Sequence, residues 1–277
     1  MEAKQKKGLN RNPIDKYYTK DYVVQLCLNL VKQHIQIDTS HLIIEPSAGN
    51  GSFIPGIQSM TNHSKFFDLE PDNDEITKQD YLLYDYKALK ETFNNIHVIG
   101  NPPFGRQSSF AIKFIKKSCE FCNSVSFILP KSFKKDSLKK AFPLHFHLVF
   151  ETDLPDKSFL IDNVEHDVPC IFQIWEKKSI KRVINEKVEP LHFMFVKKSE
   201  NPDISFRRVG GNAGAIDTNM DDKNVQSHYF IKFTNGKSIT DNVKKLSTIT
   251  YNFNNTVGPK SISKPELIIK FNPLLEC

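Results

Sequence analysis

Apolar side chains recur with helical spacing at Val23, Val24, Leu26, Cys27, Leu30 and Val31, which predicts an amphipathic helix over residues 22–35. Short unbroken apolar runs follow, and they predict buried strands at 42–45, 65–68, 96–100 and 125–129. Between the first two strands Pro55-Gly56 interrupts the pattern, so any helix there is short. Residues 85–94 carry a further helical segment, and Phe110, Phe114 and Ile115 mark another with lysines on its other side. Segments 147–151 and 170–175 have the β-favouring composition of two closing strands. Strands that alternate with helices predict an α/β, doubly wound sheet. After about residue 179 the texture changes to charged, β-favouring segments at 191–196, 204–209 and 228–233. The Gly210-Gly211-Asn212-Ala213-Gly214 loop, a second loop at Gly258-Pro259-Lys260-Ser261 and a closing strand at 267–271 complete this region. The expected organisation is a basic tail over 1–11, an α/β domain over 12–178 and a small β-rich region over 179–277.

Composition narrows the class. The chain has 277 residues, 39% hydrophobic, with 22 Phe and 8 Tyr, enough for a packed core plus a small second one. No apolar run approaches the roughly 18 residues of a membrane helix. The charged start, with no apolar stretch after it, predicts no secretory signal. Five irregularly spaced cysteines predict a reducing compartment, the cytoplasm or, in a eukaryotic host, the nucleus. Cys119 and Cys122 have the spacing of half a zinc site but lack a second pair, so two buried thiols and no metal are expected. A net charge of +6 permits a nucleic-acid partner without requiring one. Five lysines in 131–140, among them Lys131, Lys134 and Lys135, follow a strand end and are candidates for phosphate contacts; a solvated helix face is the alternative. Arg207 and Arg208 are further candidates beside the glycine-rich loop, with a plain structural turn as the alternative.

The chemistry sits at the strand ends. Asn101-Pro102-Pro103-Phe104 closes the apolar run containing Ile96, Val98 and Ile99. The prolines stiffen the backbone and remove two N–H donors, and Pro102 holds Asn101 out of the α region. An amide oxygen, free carbonyls and an aromatic face remain, which suit a planar group bearing an exocyclic amine. A turn that merely ends the strand is the plainer alternative. Upstream, Glu45-Pro46-Ser47-Ala48-Gly49-Asn50-Gly51 places an acid and two glycines after a strand, where a backbone can approach a ligand closely. The dinucleotide pattern is incomplete, because Gly56 follows Gly51 by five positions instead of three. Asp68 ends the next strand, where acids grip ribose hydroxyls, and Asp80-Tyr81 offers an acid beside an aromatic.

In this order the motifs resemble those of the S-adenosylmethionine-dependent N6-adenine DNA methyltransferases, in the gamma arrangement. The resemblance covers residues 12–178 and implies a Rossmann-like methyltransferase sheet. It implies that Asp15-Lys16-Tyr17-Tyr18-Thr19-Lys20 folds over S-adenosylmethionine, with Tyr18 and Thr19 as contacts. Glu45 would meet the methionine amino group, Ser47, Gly49 and Gly51 would form the cofactor loop, Asp68 would bind ribose, and Asp80 with Tyr81 would hold and cover the adenine. Asn101 to Phe104 would be the catalytic loop, with Asn101 also beside the cofactor and Phe104 stacking on a flipped base. Phe159 is the candidate for a second aromatic on that base; a Phe that caps the core is the alternative. Where the family usually carries Thr-Pro, this chain has Thr19-Lys20. The implied reaction is methyl transfer to N6 of adenine in DNA, without a metal. RNA N6-adenosine methylation is the alternative, followed by protein glutamine methylation, which the family pattern pairs with Tyr in place of Phe104. N4-cytosine methylation tends to carry Ser in place of Asn101, and a non-catalytic nucleic-acid-binding subunit need not keep Glu45, Asp80, Asn101 and Phe104 together.

Overall fold

A computed structural model describes residues 17–183, 188–251, 253 and 259–276. The basic tail over 1–11, Asp15, Lys16 and Gly258 lie outside the described residues. The chain divides into two compact units, Met1–Val183 and Ile184–Cys277.

The first unit opens with β1 (Tyr18–Thr19), α1 (Asp21–His34), β2 (Leu42–Glu45), α2 (Ile54–Gln58), β3 (His63–Asp68) and β4 (Thr77–Lys78). It continues with α3 (Lys87–Thr92), β5 (Ile96–Gly100), α4 (Ser109–Cys119), β6 (Ser124–Pro130), α5 (Asp136–Lys139) and β7 (Phe146–Asp153). A hairpin, β8 (Phe159–Ile161) and β9 (Val164–His166), precedes the last strand, β10 (Cys170–Lys177). Seven strands form one sheet in the order β4-β3-β2-β5-β6-β10-β7. Pairing is parallel from β4 to β6, and β10 is antiparallel to both of its neighbours. This is the doubly wound, Rossmann-like α/β sheet expected from the sequence, with one antiparallel strand inserted near its edge.

Strand side chains alternate between two cores, as the two-residue period requires. Ile43, Ile99, Ile128 and Phe172 pack with Val24, Leu28 and Ile57 of α1 and α2. Leu42, Ile44, Val98 and Phe127 face the opposite way, onto Ala111, Phe114 and Ile115 of α4. Each such buried side chain contributes about 1.5–3 kcal/mol. The central strands are covered on both faces, which is why they read as continuous apolar runs. Cys27, Cys119, Cys122 and Cys170 are all buried free thiols. Arg182, beyond the expected domain boundary at 178, still belongs to the first unit: its guanidinium lies 5.1 Å over Trp175 and donates to the Phe142 carbonyl at 2.8 Å.

His97 sits inside the sheet, buried, 3.1 Å from His41 and 2.7 Å from the Ser124 hydroxyl. Burial, reinforced by His41, holds its pKa down from 6.5 to about 4. Below pH 6.5 the unfolded chain takes up a proton that the folded one refuses. The contribution of His97 to stability is therefore complete above pH 6.5 and declines by about 3 kcal/mol as pH falls to 4. His97→Gln is expected to flatten that slope in denaturant titrations; an unchanged slope would assign it to other groups.

The second unit builds its own core from β11 (Phe193–Val196), β12 (Ile204–Arg207), β13 (Ile216–Asp217), β14 (His228–Phe233), α6 (Ile239–Leu246) and α7 (Lys264–Leu275). Its strands form an antiparallel sheet ordered β11-β14-β12-β13, and Phe206, Ile231, Leu246, Leu267 and Phe271 fill its interior. The closing strand expected at 267–271 is helical. Ser263 and Glu266 form a reciprocal capping box, and that start signal outweighs the strand-like run that follows.

Candidate active site

β2 and β5 are neighbours in the sheet, so their carboxyl ends bring Glu45 and Asn101 to one cleft. Tyr18, Thr19, Glu45, Ser47, Gly49 and Asn101, all expected cofactor contacts, line it together. Tyr17, Asn50, Ser52 and Phe53 line it too, and sequence reasoning had not singled them out for binding. Adjacency to the glycine turn was the available signal for the last three. Tyr17 had only its place in the amino-terminal motif.

Glu45 is buried, and its Oε2 has no hydrogen-bond partner among the described residues. Burial, and then the charge of Asp68, push its pKa well above the ordinary carboxyl value. A buried unpaired carboxyl is costly unless a donor or cation meets it. Gly100, just before the Asn101–Phe104 loop, leaves room for this group. At φ +155° a Cβ there would stand 3.1 Å from Glu45 Cγ, so a side chain would press on the acid. Gly49 and Gly51 both take positive φ, at 56° and 85°, and the turn closes through Gly51 N–H to the Ala48 carbonyl at 2.7 Å.

Asp68 ends β3 and accepts from Gly49 N–H at 2.8 Å and Glu70 N–H at 2.9 Å. Each oxygen retains a lone pair for a further donor such as a hydroxyl. The Tyr18 hydroxyl donates to Asp72, and burial together with that bond raises its pKa to about 12. Tyr18 is therefore a neutral donor whose ring lies over the glycine turn.

Asn101 carries the most specific geometry. Its Nδ2 donates to the Tyr17 carbonyl and to Thr19 Oγ1, both at 3.2 Å, while Ser47 Oγ donates to its main-chain carbonyl at 3.1 Å. Oδ1 has no donor among the described residues. Both amide hydrogens are thus spent on the β1 segment, and the oxygen is left as the working end. β1 is itself fastened to the β8–β9 hairpin: Tyr18 pairs with Leu160, Thr19 with Phe159, and Lys20 Nζ meets Glu165 at 2.5 Å. Lys20, standing where the family usually has proline, also supplies the carbonyl that caps α1.

Several expected contacts lie elsewhere. Phe159 is buried in the core with Tyr17 edge-on at 6.2 Å, so it anchors the strap and has no face for a base. Tyr81 is also buried, stacked on Phe114 at 5.5 Å with its hydroxyl 2.8 Å from Ser118, and cannot cover an adenine without leaving the core. Both expectations come from the family resemblance, and the structure places both rings in the core. Asp80 is half-buried and accepts from Leu82 N–H at 2.9 Å. Pro102 is buried; Pro103 and Phe104 are half-buried, and Phe104 packs against both cores. Lys131 and Lys134 both engage Asp153, at 3.4 and 2.9 Å, and outweigh the burial that would raise its pKa, holding it low. Lys135 caps α5. In the second unit Arg207 donates to the Val209 carbonyl at 3.1 Å, and Arg208 lies 5.4 Å over Tyr229.

Beyond Phe104 the backbone is strained. Gln107 and Ser108 both take left-handed conformations, φ 54° and 61°, which cost about 1–3 kcal/mol each. Phe110 and Ala111 N–H groups donate to the Phe104 carbonyl at 3.1 and 3.3 Å, so α4 starts directly on the Asn101–Phe104 loop.

No protein-family model matches the chain, and no curated protein matches its sequence. Among solved structures it is similar to a candidate RNA methyltransferase from Pyrococcus horikoshii, at 16% identity over 61% of this chain and 91% of that one, with a TM-score of 0.43. A type I restriction-modification methyltransferase subunit from Streptococcus thermophilus is similar at 14% identity over 58% of this chain and 45% of its own length, TM-score 0.44. The 23S rRNA methyltransferase ErmE is similar at 11% identity over 61% and 72%, TM-score 0.44. At such low identity and overlap, the chemistry has to be read from the residues of the cleft.

Proposed function

We propose that this chain is an S-adenosylmethionine-dependent methyltransferase acting on the N6 amine of adenine in DNA. One observation carries the reading: Asn101 spends both amide hydrogens on Tyr17 and Thr19 and keeps Oδ1 unpartnered, in the cleft that also holds the unpaired carboxyl of Glu45. The donor set fits the cofactor. Glu45 offers an anion for its ammonium, Asp68 an acceptor for ribose hydroxyls, and Gly49 a turn without a side chain beneath the Tyr18 ring. When bound, the cofactor supplies an electrophilic sulfonium methyl.

The protein's own residues present the amine. Asn101 Oδ1 and the Pro102 carbonyl accept its two hydrogens, draw the nitrogen toward sp3 and raise its nucleophilicity. Phe104 offers a face to the base, and base–aromatic stacking recovers about 1–3 kcal/mol of the flipping cost. Orientation is the main catalytic device, and the proton is released to solvent after transfer. Incubation with methyl-labelled cofactor and separate DNA, RNA and protein acceptors tests this: label is expected in DNA, and label confined to RNA or protein would contradict it.

A further inference from the structure

Starting at the Asn101–Phe104 loop, the segment leading into α4 and the outer side of α4 present Arg106, Gln107, Ser109, Phe110, Lys113 and Lys116 to solvent without a single carboxylate among them. Arg106 and Lys116 have no acidic partner among the described residues. This sets them apart from Lys131 and Lys134, which share Asp153, and from Lys139, which meets Glu151 at 3.2 Å. Phe110 is 44% exposed although it belongs to a helix whose other aromatic, Phe114, is buried. Its ring edge stands close to the backbone just after Phe104: a Cβ on Gly105 would come within 2.5 Å of Phe110 Cδ2, at a φ of +68° that already favours glycine. Lys113 rests 5.4 Å over that ring.

We propose, on the strength of the function assigned above, that this face of α4 carries the DNA strand flanking the flipped adenine. Charge complementarity selects the occupant. An uncompensated row of cations with one exposed ring matches a single strand, which offers a phosphate and a flat base at every step. Phe110 stacks the base next to the target, and Arg106, Lys113 and Lys116 meet the phosphates. Lys113, parked on an aromatic face instead of a carboxylate, is free to turn to a phosphate when a base takes its place. Lys131 and Lys134, held by Asp153, and Lys139, held by Glu151, lie outside this track.

The test is binding of a short fluorescent single-stranded DNA across a range of salt. R106A/K113A/K116A should weaken binding at least tenfold and flatten the slope of log affinity against log salt by about 2, since each single-strand phosphate contact adds about 0.7. Phe110→Ala should weaken binding about tenfold or more with the slope unchanged, because stacking is uncharged. Lys134→Ala should bind like the parent protein. A wild-type slope in the triple variant, loss in Lys134→Ala instead, or a parent protein that binds no DNA would each overturn the assignment. Tighter binding of an acidic peptide than of DNA would do the same. Methyl transfer by the parent protein is scored separately, so a DNA methyltransferase whose α4 variants bind normally removes only this inference.

Discussion

Asn101→Ala is expected to abolish methyl transfer while leaving cofactor affinity nearly intact. Removing Oδ1 takes away the acceptor that turns the amine lone pair toward the methyl, and loss of one preorganised polar contact of this kind costs roughly 10²–10³-fold in rate. The cofactor keeps Glu45, Asp68 and the glycine turn, none of which bonds the Asn101 side chain. Asn101→Asp separates the two halves of the amide. It retains an acceptor oxygen but cannot donate to Tyr17 and Thr19, so intermediate activity is expected. Turnover and calorimetric cofactor binding, measured on both variants, decide the matter; a large loss of cofactor affinity in Asn101→Ala would overturn this division of roles.

Glu45→Gln is expected to have opposite effects on folding and binding. The folded pKa of Glu45 lies well above 4.5 because of burial and then Asp68. The folded protein therefore keeps a proton that the unfolded chain releases. Stability from this group is greatest at low pH and is lost as pH rises from the unfolded value of 4.5 through the folded one. Gln is neutral throughout, so the ligand-free variant should be more stable above that range and lack this slope. Cofactor binding should weaken by about two to four decades, since removing one partner of a buried ion pair costs roughly 3–5 kcal/mol. Parent binding should also release a proton and strengthen as pH rises, a trend absent in the variant. Equal affinities in the two proteins would contradict the assigned ammonium contact.

The sheet was legible because its strands are apolar on both faces and its motifs fall at their carboxyl ends. Residues 42–45 and 96–100 are β2 and β5, the strands that bring Glu45 and Asn101 together. The strap over the cleft was not legible. β1 is only Tyr18–Thr19, too short for any periodicity, and its register with Leu160 and Phe159 depends on a hairpin about 140 positions away. That long-range pairing is also why Phe159 reads as a loop aromatic yet lies in the core. Tyr81 misleads for a related reason: its hydroxyl finds Ser118 on α4, so a residue type suited to ligand contact is absorbed by packing. Residues 267–271 show two local signals in conflict, an apolar β-like run against the Ser263–Glu266 cap, and the cap prevails.

Nucleoside analysis of methylated product probes the account at its centre, the amine held by Asn101. DNA treated with the protein and isotopically labelled S-adenosylmethionine would be digested to nucleosides and separated. N6-methyladenine should carry all of the label, and none should appear with Asn101→Ala. Label in N4-methylcytosine, or incorporation that survives loss of the Asn101 amide, would contradict it.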